Sequence, residues 1–406
     1  MIREKCKNKY LYLITGTVML MFLGLLYAWS IFAGPFKDLY PSWTSSDLSL
    51  TFTISMVFFC IGGFISGKFS NRLGTKSLIR LAAILLFIGF LGMSRLNSEN
   101  PDSSLQVLYF LYGILCGSGV GIAYNSIIGS VNKWFPDKVG FSSGILLMGF
   151  GFGGMILGSL VNVLISNFGL LNTFIVLAVL ICVVLVIGSF IIKVPEYIKT
   201  QDRDKKVDRV GQFTTSEMLK TSAFWIYTFW TIAVNSSGLL VINSAANIAI
   251  TFGAPAILGL LVSVFNGFGR LIFGQLFDRF GYNKAMVTNN IMLLISGLSL
   301  VGGAFNNSII LIFIGLLLVG ICYGGSPSLA SSVIHSFYGS ENYAQNFSVA
   351  NFSLIPSAFI GPMISSSLLD SSGGDYTWTF VMIIILSVIA LILSGLLKKS
   401  HKSTEV

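Results

Sequence analysis

Apolar residues run along this chain in twelve long blocks separated by short polar punctuation. They lie at roughly 10–33, 48–67, 77–96, 106–131, 141–165, 171–192, 222–245, 254–276, 285–304, 309–334, 345–369 and 377–397. A block of about 20 apolar residues matches the hydrocarbon thickness of a bilayer, where a helix satisfies its own backbone hydrogen bonds. The pattern therefore predicts an all-α membrane protein with twelve transmembrane helices. The longest polar interruption, from Lys193 to Thr221, divides the blocks six and six. That gives an N-terminal half over 1–192, a cytoplasmic linker over 193–221 and a C-terminal half over 222–406. The run Gln201-Asp202-Arg203-Asp204-Lys205-Lys206 reads as a solvated connector rather than a binding patch.

Composition agrees: 54% of residues are hydrophobic, 10% are charged and the mean hydropathy is +0.82. Net charge is +9, which in a soluble domain would suggest nucleic acid. Here the basic residues are dispersed over short loops, and all but Lys37, Arg95 and Arg270 of the 25 Lys and Arg fall on one side of the membrane. Such concentration marks the cytoplasmic face, so both termini are expected inside a cell (plasma or cytoplasmic) membrane and no nucleic-acid partner is implied. The first block is longer than a signal peptide's apolar core and lacks a convincing cleavage site, so it reads as helix 1. Four of the five cysteines fall within blocks and Cys6 lies on the cytoplasmic side, a pattern that indicates neither disulfides nor a Cys-ligated metal.

The halves repeat each other. Gly67-Lys68-Phe69-Ser70-Asn71-Arg72-Leu73-Gly74 follows block 2, and Gly274-Gln275-Leu276-Phe277-Asp278-Arg279-Phe280-Gly281 follows block 8. Gly117, Gly121 and Trp134-Phe135 correspond in the same way to Gly320, Gly324 and Phe337-Tyr338. A repeat of six helices keeps its orientation, as expected of parallel halves about an axis normal to the membrane, with a substrate site between them near the midplane.

On these residues the chain resembles the major facilitator superfamily of transporters over nearly its whole length, the Gly-x-x-x-Asp-Arg-x-Gly turn being close to that superfamily's signature loop. The resemblance makes Arg72, Gly74, Asp278, Arg279 and Gly281 candidate gating residues, although Asn71 replaces the acidic residue in the first copy. Glycines for a tight turn and arginines for topology are the plainer account of both turns. Tyr27-Ala28-Trp29-Ser30, Lys133-Trp134-Phe135-Pro136-Asp137-Lys138, Asn266-Gly267-Phe268-Gly269-Arg270, Asn342-Tyr343 and Gly361-Pro362 narrow the resemblance to the oxalate:formate antiporter and monocarboxylate transporter-like branch.

Arg270 is the one formal charge well inside an apolar block, eight residues before Asp278 and thus about 12 Å into its helix. Charges at such depth face a protein interior or a watery cavity and usually serve a pathway. A guanidinium stays protonated and presents a planar fork matched to carboxylate, so the expected cargo is a small organic acid. The alternative is a structural arginine bonded to backbone carbonyls. All sixteen acidic residues map to tails, loops or helix ends, and His335 and His401 lie outside the block centres. Such a cavity repels cations and lacks a buried proton carrier, which leaves anion exchange or a proton travelling with the substrate. Asn266 shares a helix face with Arg270. By resemblance its place can hold Asp in proton-coupled monocarboxylate carriers, and Asn cannot titrate.

Tyr124, Asn125 and Tyr323 lie midway along blocks 4 and 10, where phenol or amide can meet a carboxylate or simply pack. Tyr27 is a further candidate, while Trp29 suits an aromatic belt at the interface. Block 5 carries Gly144, Gly149, Gly151, Gly153, Gly154 and Gly158, which permit close helix approach and form no nucleotide loop. No metal-ligand cluster, cofactor motif or catalytic constellation is present, so a transporter is expected and an enzyme is not. The oxalate transporter of the family is understood to use a second intramembrane lysine, aligned near Ser353-Leu354. No Lys or Arg occurs between Lys284 and Lys398, so a monocarboxylate such as lactate, pyruvate, formate or glycolate is expected over oxalate. A dicarboxylate antiporter and a transport-dead carboxylate sensor are the other readings, and a monomer is the expected state.

Overall fold

The computed structural model describes residues 2–96, 100–195, 211–254 and 257–402; for some helical residues, Tyr27 and Asn71 among them, the backbone alone is described. Among the described residues every regular element is helical. Helix α1 runs Ile2–Leu23, tightens to a 3-10 turn over Gly24–Ala28 and continues over Trp29–Leu39. The stretch Ser45–Met93 is α2 (45–73) and α3 (75–93), folded back at Gly74. Next come α4 (Pro101–Asn132, with a π-helical segment over Tyr109–Cys116), α5 (Val139–Phe168) and α6 (Leu170–Ile191). After the short helix Thr215–Leu219 follows α7, Ser222–Thr251. Ile257–Asn306 divides at Gly281 into α8 (257–280) and α9 (282–306). Then come α10 (Ile309–Tyr338), α11 (Tyr343–Ala350, the 3-10 turn Asn351–Ser353 and Leu354–Ser371) and α12 (Thr377–Lys402).

Ten described stretches are long and apolar enough to cross a membrane; one, Leu261–Asn306, holds most of α8 and all of α9, and α11 is interrupted by its 3-10 turn, which accounts for twelve crossings. Gly74 (φ 71°) and Gly281 (φ 79°) adopt the left-handed backbone that a side chain resists, and this makes the two reversals possible. Helix starts carry their signals: Thr44 and Asp47 cap α2 reciprocally, and Thr221 and Ser308 cap α7 and α10. Val176, Val179, Val183, Ile187 and Phe190 form an exposed stripe on α6 at spacings of three and four, a face suited to lipid.

The chain forms two compact units. The first comprises Met1–Pro136, Gly149–Gln212 and Ser340–Val349; the second comprises Asp137–Met148, Phe213–Gly339 and Ala350–Val406. The beginning of α5 is thus grouped with C-terminal helices, and the beginning of α11 with N-terminal ones.

In the first unit the start of α11 is held by neutral groups. Asn125 Nδ2 donates to the carbonyls of Gly63 and Ala344, each at 2.9 Å, and Asn132 Nδ2 donates to the Tyr343 hydroxyl at 3.2 Å. A ring cluster of Trp29, Phe32, Phe36, Tyr112 and Phe174 fills the other end of this unit. Trp29 is buried there, its Nε1 donating to the Leu48 carbonyl at 2.8 Å, so it is a core ring and not the interfacial belt residue expected from its position near a helix end.

In the second unit the start of α5 rests on α8. A Cβ on Gly140 or Gly274 would collide with the other's carbonyl oxygen, and one on Gly144 would lie 2.9 Å from the Arg270 carbonyl. Asp278 caps this α5 terminus, its carboxylate accepting from the backbone N–H of Gly140 at 2.9 Å and of Phe141 at 2.7 Å. Buried Asn290 joins three helices: it accepts from Trp230 Nε1 at 2.9 Å and donates to the Ala390 carbonyl at 3.0 Å and the Ser394 hydroxyl at 3.2 Å.

Asn290→Ala strands those partners and should destabilise the protein by about 1–3 kcal/mol, read as a lower thermal midpoint in detergent; an unchanged midpoint contradicts the three-way tie. Asp278→Asn removes the charge of the cap and turns one of its two accepting oxygens into a donor, a loss of at least ~1 kcal/mol at a helix start. Backbone amide exchange over 139–147 should then accelerate roughly fivefold, as followed by hydrogen-exchange mass spectrometry.

Candidate substrate-binding site

Asn266 and Arg270 lie one turn apart on α8, and each exposes 4% of its surface. Arg270 Nε donates to Asn266 Oδ1 at 3.2 Å, and Nη1 donates to the main-chain carbonyl of Leu147 on α5 at 2.7 Å. Packing on both flanks aims these side chains. On one flank α10 meets α8 so closely that a Cβ on Gly324 would strike the Asn266 backbone, and one on Gly320 would lie 2.6 Å from the Val262 carbonyl. On the other flank stands the Gly144 contact from α5. The two side chains fall in the sector between α10 and the start of α5.

Leu147 and Asn266 offer the guanidinium only partial negative charge, and the sequence holds no Asp or Glu between Glu217 and Asp278. Asn266 Nδ2 is buried with no hydrogen-bond partner, so a donor stands beside the cation. Bound there, a carboxylate would face a permanent cation and a neutral donor, the combination that favours charge-assisted bonding.

Tyr124 is buried in an aromatic cluster, edge-on to Phe59 at 5.0 Å and Phe150 at 5.1 Å and stacked on Phe347 at 6.3 Å. Asn125 is fully buried; its Nδ2 serves the two carbonyls described above, and its Oδ1 has no partner. Tyr323 is buried on α10, its ring filling the space that Gly238 of α7 leaves open. The Tyr27 backbone lies in the 3-10 turn of α1, and its side chain is outside the described residues. Within its own unit each residue is therefore placed separately: Arg270, Asn266 and Tyr323 belong to the second, Tyr124, Asn125 and Tyr27 to the first.

Of the turn residues, Gly74 and Gly281 make the reversals, Asp278 caps α5, and Arg72 and Arg279 are exposed. The Arg279 guanidinium carbon lies 5.9 Å from the centre of the Phe280 ring. A cleft of about 280 Å³ opens in the first unit, lined by Lys68, Ser70, Thr75, Asn125, Lys133 and Glu341 among others. Sequence reading missed it because Lys68 and Lys133 were fully accounted for by topology, and no linear pattern shows that α2, α4 and the start of α11 enclose one space.

The family model described as Major Facilitator Superfamily matches residues 11–354 and 290–405. The chain is 26% identical over 395 residues to the oxalate:formate antiporter of Oxalobacter formigenes, covering 95% of this chain and 91% of that protein. It is 25% identical over 351 residues to the uncharacterized MFS-type transporter YhjX of Escherichia coli, covering 84% of each. Monocarboxylate transporter 10 of Danio rerio is 23% identical over 256 residues, which cover 61% of this chain and 49% of that one. Among solved structures, the proton:xylose symporter XylE superposes with a TM-score of 0.71 at 17% identity over 95% of both chains. The E. coli fucose:proton symporter FucP gives 0.71 at 13% identity over 96% of this chain and 99% of its own. At such identities these two likenesses carry the fold alone. With reversals at Gly74 and Gly281, twelve crossings and a family model that matches nearly end to end, this chain belongs to the Major Facilitator Superfamily.

Proposed function

We propose that the protein moves a small monocarboxylate, such as lactate, pyruvate, formate or glycolate, across the cell membrane by alternating access, with both termini cytoplasmic. The observation that carries this reading is Arg270, a guanidinium 4% exposed and bonded to a carbonyl and an amide. A charge in that setting is costly to keep, and in a membrane segment it normally serves a pathway. The names of two relatives, an oxalate:formate antiporter and a monocarboxylate transporter, both point to carboxylates.

The chemistry follows from the acceptors. A carboxylate arriving beside α8 accepts a charge-assisted pair of bonds from Arg270 and displaces the weaker, neutral Leu147 carbonyl. Asn266 Nδ2 supplies a further donor. Taking the guanidinium from Leu147 loosens the tie between α8 and the start of α5, and this couples loading to helix movement. Asn266 cannot titrate, so coupling falls to exchange of one anion for another or to a proton carried with the acid. Exchange of oxalate for formate is the second reading, favoured by the 26% identity to that antiporter. Against it stands the absence of any Lys or Arg between Lys284 and Lys398, which leaves Arg270 alone to meet two carboxylates in the C-terminal membrane segments.

Counterflow in proteoliposomes with C1 to C4 monocarboxylates and oxalate tests the assignment. Uptake of a monocarboxylate without oxalate is expected. Arg270→Lys should reduce its kcat/KM at least about tenfold, since an ammonium lacks the planar fork, and Arg270→Gln should abolish it. Arg270→Lys moving the acid at the wild-type rate would refute the role given to the guanidinium.

A further inference from the structure

Helix α7 presents a polar group whose position ties it to the Arg270 site. Four contacts fix how this helix is turned. Trp230 Nε1 meets Asn290 on α9. Gly238 gives its side-chain space to the Tyr323 ring on α10. The carbonyls of Ile232 and Ser236 lie against Ser357 and Gly361 of α11. Each helical residue is turned about 100° from the last. Asn235 therefore falls between the α10 contact and the α11 contact, on the far side of α7 from the Trp230 ring. It exposes 2% of its surface, and its Oδ1 is buried with no hydrogen-bond partner.

Depth matches as well. The start of α7 and the Gly281 turn share one end of the unit, since Thr221 bonds the Tyr338 hydroxyl at 2.9 Å and Tyr282 packs edge-on against Phe337 at 4.9 Å. Gly238 lies level with Tyr323, and Asn266 lies level with Gly324, the next residue of α10. Asn235 is three residues closer to the turn end than Gly238, and Arg270 is four residues closer than Asn266. At about 1.5 Å per residue the two side chains originate within roughly 3 Å of one another in depth. Both face sectors bounded by α10.

We propose that Asn235 is a specificity-determining residue: its Oδ1 accepts the hydroxyl of a small 2-hydroxy acid whose carboxylate is bound by Arg270, so the preferred substrates are acids of the lactate and glycolate type. The inference rests on the carboxylate reading given above and narrows it. A 2-hydroxyl sits beside its carboxylate, so an acid anchored on Arg270 carries that group to a neighbouring wall at the same depth. An acid with an unsubstituted second carbon fills the same space and leaves the Asn235 acceptor unpaired in a dry site, the arrangement by which a protein rejects an analogue lacking one hydroxyl.

The test compares L-lactate with propionate and glycolate with acetate as competing substrates of the reconstituted protein. Wild type should favour the hydroxy acid of each pair at least tenfold in kcat/KM, and Asn235→Leu should bring both ratios to within about twofold of one. A wild type that moves all four acids without preference overturns the hydroxyl assignment and leaves the carboxylate reading intact. Failure to move any carboxylate removes that reading itself. Ratios in Asn235→Leu equal to those of wild type also overturn the proposal. Should Asn235→Leu move neither member of a pair, Asn235→Ser decides, because its shorter side chain still offers an oxygen acceptor. A retained hydroxy-acid preference supports the proposal, whereas its loss, or inactivity of both variants, makes Asn235 a packing residue.

Discussion

The second unit is organised around keeping one guanidinium dry. Removing an arginine side chain from water costs several kcal/mol after relaxation, and Arg270 cannot escape that cost by losing a proton. Compensation has to come from acceptors brought within hydrogen-bond reach. One, Asn266 Oδ1, lies on the same helix a turn away. The Leu147 carbonyl belongs to α5, which approaches α8 almost backbone to backbone. Gly140, Gly144 and Gly274 permit that approach, and Asp278 secures the same end of α5 through its first backbone N–H groups. The glycine seam, the acidic cap and the buried cation are parts of one solution, and an added methyl in the seam would separate Arg270 from its carbonyl.

Much of this architecture was legible in the sequence, because a bilayer constrains a chain severely. Segment length and apolarity specify crossings, and glycines at matching places in the repeat specify the reversals at Gly74 and Gly281. Asn266 and Arg270 meet because residues four apart on a helix do. Other features depend on neighbours and leave no linear trace. Hydropathy gives the depth of a residue but not the helix it faces, so the Leu147 carbonyl as a partner of Arg270 was invisible. So was the grouping of the first turns of α5 and α11 away from the rest of their helices. Trp29 shows the same limit: its position near a helix end suggested an interfacial anchor, yet the Leu48 carbonyl and the Tyr112 ring hold it in the core. Asn235 lay in an unremarkable apolar block and became informative only once contacts on either side of α7 fixed its direction.

The two copies of the repeated turn have diverged in their chemistry. Asp278 meets the start of α5 with a carboxylate, and Asn71 occupies its counterpart in the first copy. The start of α11 is held instead by amide and hydroxyl groups, through Asn125 to the Ala344 carbonyl and Asn132 to the Tyr343 hydroxyl. Charge-assisted bonds are roughly twice as strong as neutral ones and falter when the charged partner is left in a dry place. Separating α5 from α8 strands the buried Arg270 guanidinium, while the exposed Asp278 carboxylate turns to water. Separating the start of α11 from α4 strands amides and hydroxyls, which water satisfies at small cost. Under the carboxylate reading proposed above, an anion that takes over Arg270 lowers the cost of opening the seam at α5.

Such a balance also accounts for polar atoms that have no partner. A protein with one working conformation can satisfy nearly all of its buried donors and acceptors. A carrier cannot, because each conformation and each loading state rearranges partners around the same groups. Asn266 Nδ2 and Asn235 Oδ1 are both buried and unbonded in the second unit, on the two helices that flank its α10. Left that way permanently, each would lower stability without return. Under the proposed function, pairing with a passing acid instead raises the affinity of the loaded state relative to the empty one. On that proposal the cost of leaving them unpaired discriminates an acid that bonds both from one that cannot.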